Sequence, residues 1–130
     1  MLGVEHQVDV AAPLAAAYEL CTRFEDFPRF MEGVEEVRQM DEMHLRWRVQ
    51  GVGELDAELV EVRPEKRIAW RAMDGRAWAG AVTLLPLDDE LTRVTMSAEV
   101  DDSLAPVAAR VAGDLQRFKA LLEQPPLHAP

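Results

Sequence analysis

The chain has 130 residues, 48% apolar and 29% charged, with a formal net charge of −10. This composition excludes a disordered chain, and the acidic balance repels phosphate backbones and anionic headgroups, so no nucleic-acid partner is expected. Cys21 is the one cysteine, which excludes an intramolecular disulfide and a cysteine metal cluster. No apolar run nears the ~20 residues of a spanning helix and no signal-peptide pattern opens the chain, so stable membrane insertion is not expected and a cytoplasmic protein is the default.

Residues 4–10 alternate, with Val4, His6, Val8 and Val10 on one face and Glu5, Gln7 and Asp9 on the other, the period of a half-buried strand. Pro13 suits a first helical position, and Leu14, Tyr18 and Cys21 then fall on one helical face. Residues 24–31 read as a second short helix, bent or restarted near Pro28.

From Val34 to Val100 strands alternate with turn residues at Asp41-Glu42, Gly51-Val52-Gly53, Pro64-Glu65, Asp74-Gly75 and Leu87-Asp88-Asp89. Such even spacing predicts an antiparallel meander. If Gly51-Val52-Gly53 is a loop, Arg48 faces Asp56 and Arg46 faces Glu58, while Trp47 faces Ala57, Leu45 faces Leu59 and Val49 faces Leu55. Charges then pair on one face and apolar groups on the other. The stretch from Ala77 to Leu85 is ambiguous, with alanines on one parity and Trp78, Gly80, Val82 and Leu84 on the other, and Gly80 is expected to mark a bulge or a bend.

Asp101-Asp102-Ser103 supplies capping chemistry for one long helix. Its apolar stripe is Val107, Val111, Leu115, Phe118 and Leu122, with Arg110, Asp114, Arg117 and Glu123 mostly off it. Gly113 is expected where the sheet comes close, and Pro125-Pro126 ends the helix. One domain over residues 1–124 and a mobile tail over 125–130 follow.

This order, with the segments Phe24-Glu25-Asp26-Phe27-Pro28-Arg29-Phe30-Met31-Glu32-Gly33-Val34, Arg63-Pro64-Glu65-Lys66-Arg67-Ile68-Ala69-Trp70-Arg71 and Leu115-Gln116-Arg117-Phe118-Lys119, resembles the polyketide cyclase/dehydrase branch of the SRPBCC, or START-like, superfamily. The resemblance implies an α+β helix-grip fold, a curved antiparallel sheet of about seven strands around the C-terminal helix, with two short helices after the first strand. It also implies a cavity between the concave face and the helix that takes a small hydrophobic ligand. Trp47, Trp70, Trp78, Leu115 and Phe118 stand as its liners, Tyr18 as a further contact, and Phe27, Phe30 and Met31 as residues at its mouth. The same residue types fill cores, so lining and filling stay open for each.

No catalytic constellation emerges, and neither a cofactor nor a metal site is indicated: His6, His44 and His128 are scattered, and glycine-rich, Gly-x-Ser-x-Gly and His-Glu-x-x-His motifs are missing. His6 shares the inward parity of its strand, Tyr18 the apolar face of its helix, and Arg71 the outer parity with Arg67. Three functions remain: a binder or carrier of a lipid-like or polyketide-like molecule, an aromatase/cyclase or dehydrase, or an interaction module presenting Phe27, Phe30 and Met31 on its surface. Oligomeric state is not legible.

Overall fold

The computed structural model describes residues 2–73 and 77–124. The chain runs β1 (Leu2–Val10), α1 (Leu14–Thr22), a 3-10 helix (Phe24–Arg29), β2 (Val34–Gln39), β3 (His44–Val49), β4 (Gly53–Arg63), β5 (Arg67–Ala72), β6 (Trp78–Asp88), β7 (Leu91–Val100), a 3-10 turn (Asp102–Leu104), α2 (Ala105–Ala109) and α3 (Val111–Glu123). The seven strands form one antiparallel sheet in the order β1-β7-β6-β5-β4-β3-β2. Strands β2 to β7 are therefore a meander, and β1 returns to pair with the last of them. The expected tail at 125–130, His128 and the Asp74-Gly75 turn lie outside the described residues.

Alternation decides which face turns inwards. On β7, Val94, Met96, Ala98 and Val100 are buried, as are Trp78, Gly80, Val82 and Leu84 on β6 and Leu45, Trp47 and Val49 on β3. Bulges in β2, β4 and β6, after Val34, Leu59 and Pro86, increase the local twist. The concave face meets α1, α2 and α3, and the joint core runs from Val10 to Phe118.

Four expectations need correction. The β3–β4 register is shifted by two residues: Arg46 faces Asp56, Trp47 faces Leu55 and Val49 faces Gly53. Gly51 and Gly53 both take positive φ, +81° and +98°, and the Val52 N–H donates to the Val49 carbonyl at 3.0 Å, so the turn is Gln50-Gly51-Val52. A shift of two preserves every face, and the charge pairing survives as Arg46–Asp56 at 2.8 Å.

Gly80 is neither bulge nor bend. Its ladders to Trp70 and Ala98 are regular, and a Cβ there would stand 2.5 Å from the Trp70 indole. The glycine makes room for the ring. The helix after Ser103 is divided at Arg110, which sits at φ −90° and ψ −10° between α2 and α3. Gly113 does not face the sheet either; the atoms nearest to a Cβ there belong to the Arg117 guanidinium.

Candidate functional site

Three tryptophans from three strands meet on the concave face. Trp47 and Trp70 lie with ring centroids 5.5 Å apart at 32°, and Trp78 stands edge-on to Trp47 at 5.1 Å. Phe27 packs on Trp47 at 5.5 Å and on Trp70 at 6.2 Å, which carries the cluster into the 3-10 helix. Phe30 continues it to Phe118 on α3 at 5.2 Å. Aromatic rings offset or edge-on in this way contribute beyond their buried area.

Between this cluster and the helices lies a partly enclosed, mostly apolar space of about 50 Å³. Its walls include the three tryptophans, Met31 and Val34 on one side and Val107, Arg110, Val111 and Asp114 on the other. A larger depression of about 680 Å³ lies on the outer face, floored by Ala69, Ala79 and Ala81 and edged by Arg67, Arg71 and Glu99. It is open to solvent, so it offers an apolar molecule little enclosure, and the inner space is the better candidate.

The Nε1 atoms of Trp47 and Trp70 are buried and have no hydrogen-bond partner. Their residues are 1% and 5% exposed. A buried donor left unpaired costs about 1–3 kcal/mol, so each is a defect of the closed core.

Arg110, Asp114 and Arg117 strap the segment after the 3-10 helix to the roof of this space. The Arg117 Nε donates to the Phe30 carbonyl at 3.0 Å and its Nη2 to Asp114 Oδ1 at 2.6 Å. The same carboxylate oxygen accepts from the Glu32 N–H at 3.0 Å. Arg110 lies over Gly33, whose φ is +86° and where any Cβ would collide with the guanidinium. Steps of four and three place these residues on one helical face, a spacing visible in the sequence, where they lie mostly off the apolar stripe.

Burial pushes the Asp114 carboxyl above the ordinary aspartate range, against the pull of its two donors. The folded state then holds that proton more tightly than the unfolded chain. The resulting stabilisation is complete below the ordinary range and is lost as pH rises through the raised value. Asp9, held low by Arg93, and Glu123, held low by the Ala11 N–H, act in the opposite sense, losing their contribution as pH falls through their lowered values. Asp114→Asn is expected to flatten the loss of stability at rising pH, seen in urea unfolding across a pH series. Asp114→Ala is expected to lose about 1–3 kcal/mol by orphaning the Glu32 N–H and Arg117.

Of the residues singled out in the sequence, Met31, Trp47, Trp70 and Trp78 border the partly enclosed space, and Phe27, Phe30, Leu115 and Phe118 are buried in the core beside it. Phe27, Phe30 and Met31 form no exposed patch; all three are buried. Tyr18 is half-buried on α1 against the core and away from that space. His6 keeps the inward register opposite Met96 but is exposed on an edge strand. Arg71 stands on the outer face, paired with Glu58 at 2.9 Å. Burial pushes the Cys21 thiol up to about 12, which leaves it no nucleophile. Among the described residues no His/Cys/Asp/Glu group is placed to hold a metal ion, and no helix is long and apolar enough to cross a membrane.

A seven-stranded antiparallel sheet curved around a C-terminal helix, with two short helices after the first strand, is the START-like helix-grip fold. The chain belongs to the family described as polyketide cyclase / dehydrase and lipid transport, whose model matches residues 1–124. It is 39% identical over 137 aligned positions to an uncharacterized 17.2 kDa protein of the melC2-rnhH intergenic region of Streptomyces lincolnensis, covering 95% of this chain and 91% of that protein. A START superfamily protein from Mycobacterium smegmatis superposes with a TM-score of 0.79 at 16% identity, over 94% of this chain and 97% of that one. The Zhui aromatase/cyclase from Streptomyces sp. R1128 does so with a TM-score of 0.77 at 20% identity, over 94% and 93%. These two likenesses show the fold, and the resemblance read from the sequence is borne out.

Proposed function

We propose that the chain binds one small, largely apolar molecule of the lipid or polyketide kind between the concave sheet face and α2–α3. The observation that carries this reading is the partly enclosed apolar space itself, walled by three tryptophans and roofed by a helix pair broken at Arg110. Family membership supports it. At about 50 Å³ the space is far below the roughly 300–1,000 Å³ of ligand pockets, so binding requires the indoles or the segment around Phe24–Gly33 to shift. Native mass spectrometry of the purified protein is expected to show a small-molecule adduct that disappears on denaturation. A clean mass, with no saturable change in tryptophan fluorescence on adding naphthalene or decanoate, leaves a filled core and defeats the reading.

A second reading, turnover of a polyketide intermediate, is favoured by Asp114. It is the buried carboxylate that borders the space, and its raised pKa suits proton exchange with a bound molecule. On this reading Asp114→Asn abolishes turnover while leaving binding in place. Equal turnover by the variant defeats it.

A further inference from the structure

We infer that the molecule this space accepts carries at least one neutral, carbonyl-type oxygen at its buried end, presented to the indole N–H groups of Trp47 and Trp70, and is not a plain hydrocarbon or acyl chain. The inference rests on the reading that the space binds a ligand, and it names the ligand's chemistry.

Two independent features lead to it. The first is the pair of orphaned donors. Tryptophan nitrogen donates and cannot accept, so only an acceptor relieves it. Both orphans sit on side chains that wall this apolar space, and the Trp70 Nε1 lies against Gly80, 2.9 Å from where a Cβ would stand. Phenylalanine would fill an aromatic cluster with no such defect, so two indoles at this place add donors as well as bulk.

The second feature is the character of the walls. The donors are set among Phe27, Trp78 and the neighbouring indole, which offer flat apolar faces to a ring system. A carboxylate brought to the same depth loses its hydration and finds no cation among these rings, because Arg117 is engaged with Asp114 and Phe30 at the roof. A ketone or ring-ether oxygen is desolvated at far smaller cost. A charged end is therefore expected to remain towards Arg110, which also borders the space and for which no ion pair is found among the described residues.

The test compares three probes: chromone, which is flat and carries a ketone and a ring oxygen; naphthalene, its hydrocarbon counterpart in size; and decanoate. Indole Nε1–H resonances are followed by nitrogen-15 NMR, assigned with Trp47→Phe and Trp70→Phe. Chromone is expected to bind about tenfold more tightly than naphthalene, the effect of one relieved donor or two. It should shift the Trp47 or Trp70 Nε1–H resonance downfield, which naphthalene should not. In the double variant the ratio of the two affinities should fall to about one, whatever the loss common to both probes. Equal affinity for naphthalene or decanoate, or a preference that survives in the double variant, overturns the inference while leaving the binding site standing. If none of the probes perturbs any residue around the space, the binding reading falls and this inference falls with it.

Discussion

Phe27→Ala is expected to cost the fold about 3–5 kcal/mol, the range for deleting a buried aromatic ring. Phe27 is 1% exposed and joins four other rings: Phe24 at 5.5 Å, Phe30 at 5.3 Å, Trp47 at 5.5 Å and Trp70 at 6.2 Å. It is the hub through which the 3-10 helix meets the concave sheet face. The neighbouring Pro28 has no N–H to lose and fixes the local φ, so the short helix has few internal hydrogen bonds and depends on this packing. Urea unfolding followed by tryptophan fluorescence measures the loss. A residue standing exposed at a cavity mouth would cost little when truncated, so a change below about 1 kcal/mol would return Phe27 to that role.

Gly80→Ala is the second large effect. Adding one methyl to a strand glycine ordinarily helps, because alanine loses less entropy on folding. Here the methyl would lie 2.5 Å from Trp70 Cζ2 and 2.6 Å from Cε2, inside any permissible contact. Trp70 cannot yield easily, since Trp47 and Phe27 hold its other sides. The expected cost is about 1–3 kcal/mol from overpacking, and the sign is opposite to the ordinary one. Combining Gly80→Ala with Trp70→Leu tests the cause: the pair should lose less than the sum of the single changes, because the smaller side chain removes the collision. Additive losses would place the defect elsewhere in β6.

Much of this architecture is legible in the sequence because strand period is robust. The parity of β3 puts Leu45, Trp47 and Val49 together on the apolar face, which the structure turns inwards, whereas in β6 alanines fill the other parity and leave the strand ambiguous. The register of β3 against β4 was not legible, because opposite charges alternate on both strands. Arg46 and Arg48 find acidic partners in either of two registers. What decides is backbone conformation at Gly51 and Gly53, which composition does not encode. Gly80 failed for a similar reason: its meaning lies in a ring ten residues earlier on the next strand, beyond the reach of local propensity.

The site was partly visible. The tryptophans are marked by the family resemblance, whereas Arg110 and Asp114 are legible only as residues off the apolar stripe, where an amphipathic helix usually faces solvent. The helix instead meets a second layer, the segment from Phe30 to Gly33, and its polar stripe ties that layer down. Phe27 and Phe30 followed the resemblance to the cavity mouth. Their burial comes from Phe27 packing on Trp47 and Trp70 and from Phe30 packing on Phe27 and Phe118.

Helix α3 touches the chain at both margins of the sheet. Near its C-terminal end Lys119 donates to the Asp9 carbonyl at 2.9 Å and Glu123 accepts from the Ala11 N–H at 2.7 Å, at the end of β1. Nearer its start Asp114 and Arg117 hold the residues that lead into β2. Since β1 and β2 are the two outermost strands, one helix works as a clasp that closes the sheet across its open side. Unpaired strand margins are where sheets recruit other chains. Loosening α3 would therefore release the end of β1 and the segment before β2 together.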